Sequence, residues 1–464
     1  MASDRDESLH LDGGGQLCCH VCLLCLGVTK SAAFAGTTGN HGRRVCGDGI
    51  ACCPGTERNH GYGELGWLAG GLSRVIFTVF GQNLAKKPFW SIQVNLRGQA
   101  DEASPTLGHT DLMSSEATDK SNMAVNSDAT PACPVTVILV NWHSEALLAQ
   151  ALSGLCRQSR TPEQVIVVDN GSSVDLPLHA YLAGPIDVLR MPGNAGFAAA
   201  NNLAIQSVAT TKWVALLNPD AIPEENWLEK LLAAAGRHPD VAVFASKQLM
   251  ADNPQTIDGL GDIYHVSGAA WRDGYGQSLT QRPMAGDQPV FAACAAAALY
   301  RRDAVLEAGG FDEDFFCYFE DVDLGFRLNL LGYKTMLVPD ALVYHFGSAT
   351  SGGGKSDFSV HHGHRNLVWT YVKNMPAALF WRYLPHHLMF NLLSIVYFVA
   401  RGQGKVILRA KWQALLGIPA MLRKRKHIQQ SRRVRSHQLR LQMLTGWLKP
   451  YGRNRHIEEV KFNG

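Results

Sequence analysis

From Pro134 onward the chain alternates apolar runs with amphipathic stretches. Val135–Val140 is a continuous, mostly β-branched run ending at Asn141, the pattern of a buried strand. Ser144 is placed to cap a helix whose apolar positions Leu147, Leu148, Ala151, Leu152 and Leu155 recur at helical spacing. Gln164–Asp169 predicts a second strand, closing on a carboxylate before Asn170-Gly171-Ser172. Ile186–Met191 predicts a third, after which the polar, glycine-bearing Gly193–Phe197 opens a small-residue helix through Asn201 and Asn202. Trp213–Leu217 predicts a fourth, ending at Asn218-Pro219-Asp220. Strands alternating with helices imply an α/β, mostly parallel sheet covered on both faces. Ligands of such sheets bind beyond the carboxyl ends of the strands. Asn141, Asp169 and Asp220 all fall at those ends, although each carboxylate could instead serve only a turn.

The second half reads differently. Ala292–Leu299 is a run of small residues around Cys294, and a short helix is expected to end near Gly309-Gly310. Phe311–Asp323 then interleaves aromatics with acids. Buried carboxylates need partners, and rings on a solvated helix are out of place, so a binding cleft with a general base satisfies both. Glu320, Asp321 and Asp323 begin a helix with apolar positions Leu324, Phe326, Leu328 and Leu331, where acids also suit the helix dipole. Thr335–Val338 and Ala341–Phe346 read as two strands, His345 closing the second. Gly347–Ser356 is expected to be a mobile glycine-rich lid. It is not a phosphate loop, because Ala349 stands where that pattern needs glycine, and Gly193-x-x-Gly196 lacks the spacing of the dinucleotide fingerprint.

Composition adds organisation. The 464 residues are 46% hydrophobic and 18% charged, as in a globular rather than disordered chain. Seven of eleven cysteines lie in the first 53 residues without the paired spacing of a zinc site, and scattered thiols elsewhere favour a reducing compartment. Residues 1–130 are expected to form a poorly ordered extension and linker. The near-neutral total of +3 conceals 16 Lys/Arg against 2 Asp/Glu from residue 401 onward. Residues 371–464 are therefore expected to form a basic, amphipathic helical region. The clean apolar run Leu388–Ala400 is 13 residues long, shorter than the roughly 18 to 20 that a span requires. Peripheral contact with an anionic membrane is expected, and binding of nucleic acid is not.

The ordered set Val-Val-Asp169-Asn170-Gly-Ser, Asn194-x-Gly196-Phe197 with Asn201-Asn202, Leu-Leu-Asn218-Pro-Asp220, Gly310-Phe311-Asp312-Glu313 and Phe-Glu320-Asp321-Val-Asp323-Leu resembles the family 2 glycosyltransferases. The likeness is to the bacterial rhamnosyltransferase-like branch and covers about residues 134–370, within a domain expected over residues 131–370. It implies a GT-A fold, a Rossmann-like, mostly parallel sheet. It also implies a nucleotide-diphosphate sugar donor, a divalent cation (Mg2+ or Mn2+) and inversion at the anomeric carbon. Asn141, Asp169, Asn170, Asn194, Gly196, Asn201 and Asn218 would contact the nucleotide sugar, with Asp169 on the nucleoside. Asp220 would stand for the last carboxylate of the Asp-x-Asp metal motif, Asn218 replacing the first, and His345 would complete the metal or diphosphate contacts. Asp321 would be the catalytic base, with Glu320 and Asp323 as alternatives, and Arg365-Asn366 resembles a segment near the lid. The expected activity is transfer of a sugar, rhamnose among the candidates, to a glycan or lipid-linked acceptor of a cell-surface polysaccharide. The expected location is cytoplasmic, at the inner face of the inner membrane. The competing readings are an inactive nucleotide-sugar-binding module working through its tail and a nucleotidyltransferase.

Overall fold

The computed structural model describes residues 133–172, 175–347 and 356–451. The expected N-terminal extension and nearly all of the expected lid lie outside the described residues.

The four strands read from the sequence are present: β1 (Cys133–Asn141), β2 (Pro162–Asp169), β3 (Ile186–Arg190) and β4 (Trp213–Leu217). They run parallel in the order β3-β2-β1-β4, with Asn141 paired to Asp169 and Asp169 to Arg190, so their carboxyl ends form one edge. The sheet continues through strands whose patterns are weaker: β5 (Ala221–Pro223), β6 (Val241–Met250), β7 (Asn253–Gly259), a small hairpin β8 (Asp262–Tyr264) with β9 (Ala270–Arg272), β10 (Gln288–Val290), β11 (Ala297–Arg301) and β12 (Lys334–His345). β11 lies antiparallel between β4 and β6, and β12 pairs parallel with β6. Thus β12 points the same way as β1 to β4 and delivers His345 to the edge that carries Asn141 and Asp169. The two strands expected over Thr335–Phe346 are one. A register irregularity between Val338 and Leu342 absorbs Pro339 without ending the pairing.

Alternation along each strand supplies both faces. Val137 and Leu139 of β1 pack with Leu148 and Leu152 of α1 (Glu145–Cys156) and with Trp227 and Leu231 of the later helix Trp227–Arg237. Ile138 turns to the other face, against Ala198 and Ala204 of α2 (Gly196–Ser207). The helix Trp227–Arg237 is α3 and shares the first face with α1, and α4 (Arg302–Glu307) and α5 (Glu320–Leu331) cover the second, where Leu324 and Leu328 join the core. The α/β sheet with helices on both faces is therefore as expected. Ser144 occupies the N-cap of α1, but its side chain makes no cap bond. Its Oγ donates instead to Asn141 Oδ1 (3.0 Å), so the hydroxyl organises the strand end.

The helical C-terminal region comprises α6 (Asp357–Asn374), α7 (Ala377–Ala400), α8 (Gly404–Ser431) and α9 (Ser436–Leu441). One expectation is corrected here. The helix runs through Pro385 for 24 residues and is long and apolar enough to cross a membrane by length and composition, whereas the clean apolar run had counted only 13. Arg382, Pro385, His386 and His387 interrupt the pattern without ending the helix.

Candidate active site

The site is a cleft of about 320 Å³ along the carboxyl edge of the sheet. Asn170, Asn194, Gly196, Asn218, Asp220, Glu320, Asp321 and His345 all line it, so residues spread over 176 positions meet in one place. Asn141 and Asp169 sit just behind the wall, and both are buried. Asp169 Oδ1 accepts the Ser172 N–H (2.9 Å) and Oδ2 accepts Arg190 Nη1 (2.7 Å). Asn170 Oδ1 accepts the Ala195 N–H (3.0 Å), and its amide donates to Asn194 Oδ1 (3.1 Å), tying the end of β2 to the entry of α2. Asn201 is placed elsewhere: it is buried in α2, donates to Phe197 O (2.9 Å) and does not line the cleft. Its neighbour Asn202 fastens the Phe311 backbone from both sides, accepting its N–H and donating to its carbonyl (2.8 Å each).

At the far end of the cleft, His345 pairs in register with Ala221, which brings its ring beside Asp220. His345 Nε2 lies 3.3 Å from Asp220 Oδ1, buried and without a well-aligned hydrogen bond, while Nδ1 lies 2.7 Å from Asp258 Oδ2. Arg272 bonds the same Asp258 oxygen. Burial alone would lower the His345 pKa, but the two carboxylates raise it overall. Among the described residues no group of three or more His, Cys, Asp or Glu side chains forms a complete metal shell. The pair nonetheless fits a hard divalent cation: one carboxylate oxygen and one imidazole nitrogen converge, and a second carboxylate fixes the imidazole from behind.

The cleft also carries a set of buried acids. Asp321 Oδ2 accepts the Ala295 N–H (3.2 Å) and Oδ1 the Val322 N–H (2.8 Å). Burial raises its pKa, and those backbone donors moderate the rise. Glu320 is raised further by burial and then by the Asp321 charge, and one of its oxygens, Oε2, has no hydrogen-bond partner. Asp262, also raised by burial and by Asp321, leaves Oδ2 unpartnered. Asp323 is different. It is wholly buried, bonded to Arg327, Lys373 and Asn374, and faces away from the cleft.

The aromatic loop before Glu320 is held in an uncommon shape. Phe316, Tyr318 and Phe319 have φ of 64°, 66° and 69°, left-handed values that cost non-glycine residues about 1–3 kcal/mol each. Asn366 compensates: its buried amide donates to the carbonyls of Phe315 (2.9 Å), Cys317 (3.0 Å) and Tyr318 (2.7 Å). Gly196 permits the loop's approach, since a Cβ there, at φ +89°, would lie 2.6 Å from Phe316. Four important residues escaped the sequence reading or were only touched by it: Asp258, Asp262, Arg272 and Asn366. The first two carry a faint signal, as Asp258-Gly259 and Gly261-Asp262 set carboxylates beside flexible backbone.

The family model described as "Glycosyltransferase like family 2" matches residues 131–370, just over half the chain. The chain belongs to that family. This glycosyltransferase is 29% identical over 252 residues to N-acetylglucosaminyl-diphospho-decaprenol L-rhamnosyltransferase of Mycobacterium tuberculosis, a match spanning 49% of this chain and 80% of that one. It is 33% identical over 186 residues to pre-mycofactocin glycosyltransferase of the same organism, covering 39% of this chain and 37% of the relative. Among solved structures, GalNAc-T7 with UDP, GalNAc and Mn2+ aligns at 15% identity and a TM-score of 0.45, over 60% of this chain and 54% of that one. The enzyme is thus a sugar transferase of the rhamnosyltransferase-like branch, and its mixed sheet is the GT-A arrangement that the family implies.

Proposed function

We propose that this glycosyltransferase moves a single sugar, with inversion, from a nucleoside-diphosphate donor to a hydroxyl of a glycan or lipid-linked acceptor. The observation that carries the reading is the meeting, in one cleft, of the Asp220–His345 pair and the buried acids Glu320 and Asp321. A diphosphate needs countercharge as it leaves, and an attacking hydroxyl needs a base. Asp169 and Asn170 hold the nucleoside end. Asp169 already accepts two bonds, but a carboxylate has room for more. Asp220 and His345 would hold Mg2+ or Mn2+, which when bound supplies charge stabilisation to the departing diphosphate.

Asp321 is the base in this account. It takes the acceptor proton as the acceptor oxygen bonds to the anomeric carbon and the bond from that carbon to the diphosphate oxygen breaks. Burial raises its pKa, which strengthens it as a base. Glu320 beside it is raised more strongly, by burial and then by the Asp321 charge. The named activity of the 29%-identical relative supports rhamnose as the sugar and a polyprenyl diphosphate-linked saccharide as the acceptor; the location we propose is the cytoplasmic side of the inner membrane. The test is to incubate the enzyme with a panel of thymidine-, uridine- and guanosine-diphospho sugars, acceptor and Mn2+ or Mg2+, and to follow phosphate products. Nucleoside diphosphate release that Asp220→Asn abolishes is expected. Pyrophosphate release would indicate a nucleotidyltransferase, and donor binding without turnover would indicate a binding module.

A further inference from the structure

Helices α7 and α8 each keep an apolar stripe that no described residue covers. On α7 the exposed large apolar residues Trp381, Leu388, Leu392, Val396 and Val399 recur every three, four or seven positions, which puts them on one face. On α8, Leu408, Trp412, Leu415, Leu416 and Leu422 do the same. Trp381, Trp412 and Leu416 are each more than 60% exposed, far beyond what a packed helix leaves in water.

The opposite faces are committed to the protein. On α7, Leu379 and Tyr383 are buried, and the His387 ring stacks on Tyr371 at 4.0 Å with its Nδ1 2.8 Å from Ser267 O. On α8, Ala414 and Met421 pack with Trp369 of α6, whose indole N–H donates to Ala414 O (3.0 Å). Gly417 permits that fit, since a Cβ there would lie 2.5 Å from the indole. Lys411 bridges the helices, donating to Asn391 of α7 and to His364 O of α6.

Charge marks the same surface. The sequence holds no Asp or Glu between Asp357 and Glu458. Arg382, Arg401, Lys405, Arg409, Arg423 and Lys426 are exposed along the two helices. An apolar stripe flanked by cations and free of carboxylates fits the headgroup region of an anionic bilayer. We propose that α7 and α8 lie in the plane of such a bilayer, their stripes among the acyl-chain ends and their basic residues at lipid phosphates. Although α7 is long enough to span, crossing would strip His387 and Tyr383 from the domain, so the in-plane arrangement is the one the packing supports. The dock is also wired to the cleft: Lys424 of α8 binds Asp312 and Asp314, at the start of the aromatic loop that leads to Glu320.

The inference goes beyond the donor and acceptor chemistry and is tested without turnover. Full-length enzyme is floated with vesicles of phosphatidylcholine alone or with 40% phosphatidylglycerol. Binding is expected with the anionic vesicles, with at least a tenfold smaller floated fraction on phosphatidylcholine or at 1 M salt. The variant Leu392→Glu/Trp412→Glu/Leu416→Glu should lose at least tenfold, and the milder Trp412→Ser/Leu416→Ser several-fold with an unchanged melting temperature. Alkaline carbonate should release the wild type. Failure to float with anionic vesicles, or flotation unchanged in both variants, overturns the membrane dock. Retention after carbonate overturns the in-plane geometry. A lipid-free dimer that the same substitutions dissociate assigns the stripes to a second copy and also overturns it.

Discussion

Replacing Asp321 by asparagine removes the charge and basicity of one side chain while keeping its shape. Two structural effects oppose each other in the folded state. Asparagine offers one acceptor oxygen where the carboxylate offers two, so one of the two N–H groups, of Ala295 or Val322, loses its partner at a cost of about 1–3 kcal/mol. Against that, burial raises the Asp321 pKa, so its ionisation opposes folding at neutral pH, and the neutral amide relieves that opposition. Stability should therefore change by less than about 2 kcal/mol in either direction. Catalysis has no such compensation. Loss of a general base lowers kcat by about 10²- to 10⁴-fold, or about 2.7–5.4 kcal/mol on the barrier. The assay is nucleoside diphosphate release at saturating donor, acceptor and metal, paired with a thermal melt. In the wild type, kcat should fall as pH drops through the raised Asp321 pKa, an acid limb above the ordinary aspartate range of about 3.9. In the variant that limb should disappear with the rate. A well-folded variant retaining more than a tenth of wild-type kcat would refute the assignment of the base and move it to Glu320.

Asp258→Asn should weaken the hold on the His345 imidazole, raising the Mn2+ dissociation constant about 10- to 100-fold in a calorimetric titration with nucleoside diphosphate present; unchanged affinity would remove Asp258 from the account. Lys373→Met should cost about 3 kcal/mol in urea unfolding, the low end for a broken buried pair, because Asp312 keeps Lys424 and Asp323 keeps Arg327. Burial alone would raise the Asp312 pKa, but Lys373 and Lys424 hold it far below the usual carboxylate range, so its contribution is present above about pH 4 and fades as pH falls further. Burial in turn penalises the Lys373 ammonium, so the pair's net worth is smaller than the cost of breaking it. The acid sensitivity should shrink in Lys373→Met, and an unchanged acid profile would contradict this. Asn366→Ala should free the Cys317 and Tyr318 carbonyls of the aromatic loop, while the Phe315 carbonyl keeps Arg365 Nη2, destabilising the protein by about 2–4 kcal/mol and raising KM for acceptor more than for donor; a purely thermal effect with both KM values unchanged would make Asn366 structural only.

The parallel half of the sheet was legible because β1, β2 and β4 are buried on both faces and read as unbroken apolar runs. The carboxylates that end them were legible for the same reason: a charge closing such a run is conspicuous. The segment from Asp252 to Val290 was not. Its strands are mostly three residues long and hydrogen-bonded across turns, too short for any periodicity, so Asp258, Asp262 and Arg272 looked like loop residues. Asn201 shows the reverse failure. The family resemblance implies a ligand contact there, yet the helix turns it inward, where its amide donates to Phe197 O, and its neighbour Asn202 spends its polar atoms on the Phe311 backbone. Asp323 likewise belongs to a buried ion network and not to the cleft, which narrows the base to Glu320 and Asp321. The length of α7 was hidden by Pro385 and the histidines beside it. Tertiary contacts of His387 carry the helix through a stretch that local pattern would have broken.

In the proposed single displacement the acceptor oxygen attacks the anomeric carbon itself, with Asp321 taking its proton and no covalent glycosyl-enzyme. The decisive measurement is the anomeric configuration of the first-formed product, read by proton and carbon NMR beside that of the donor. A product whose anomeric configuration is opposite to the donor's is expected. A product that retains the donor's configuration would contradict it.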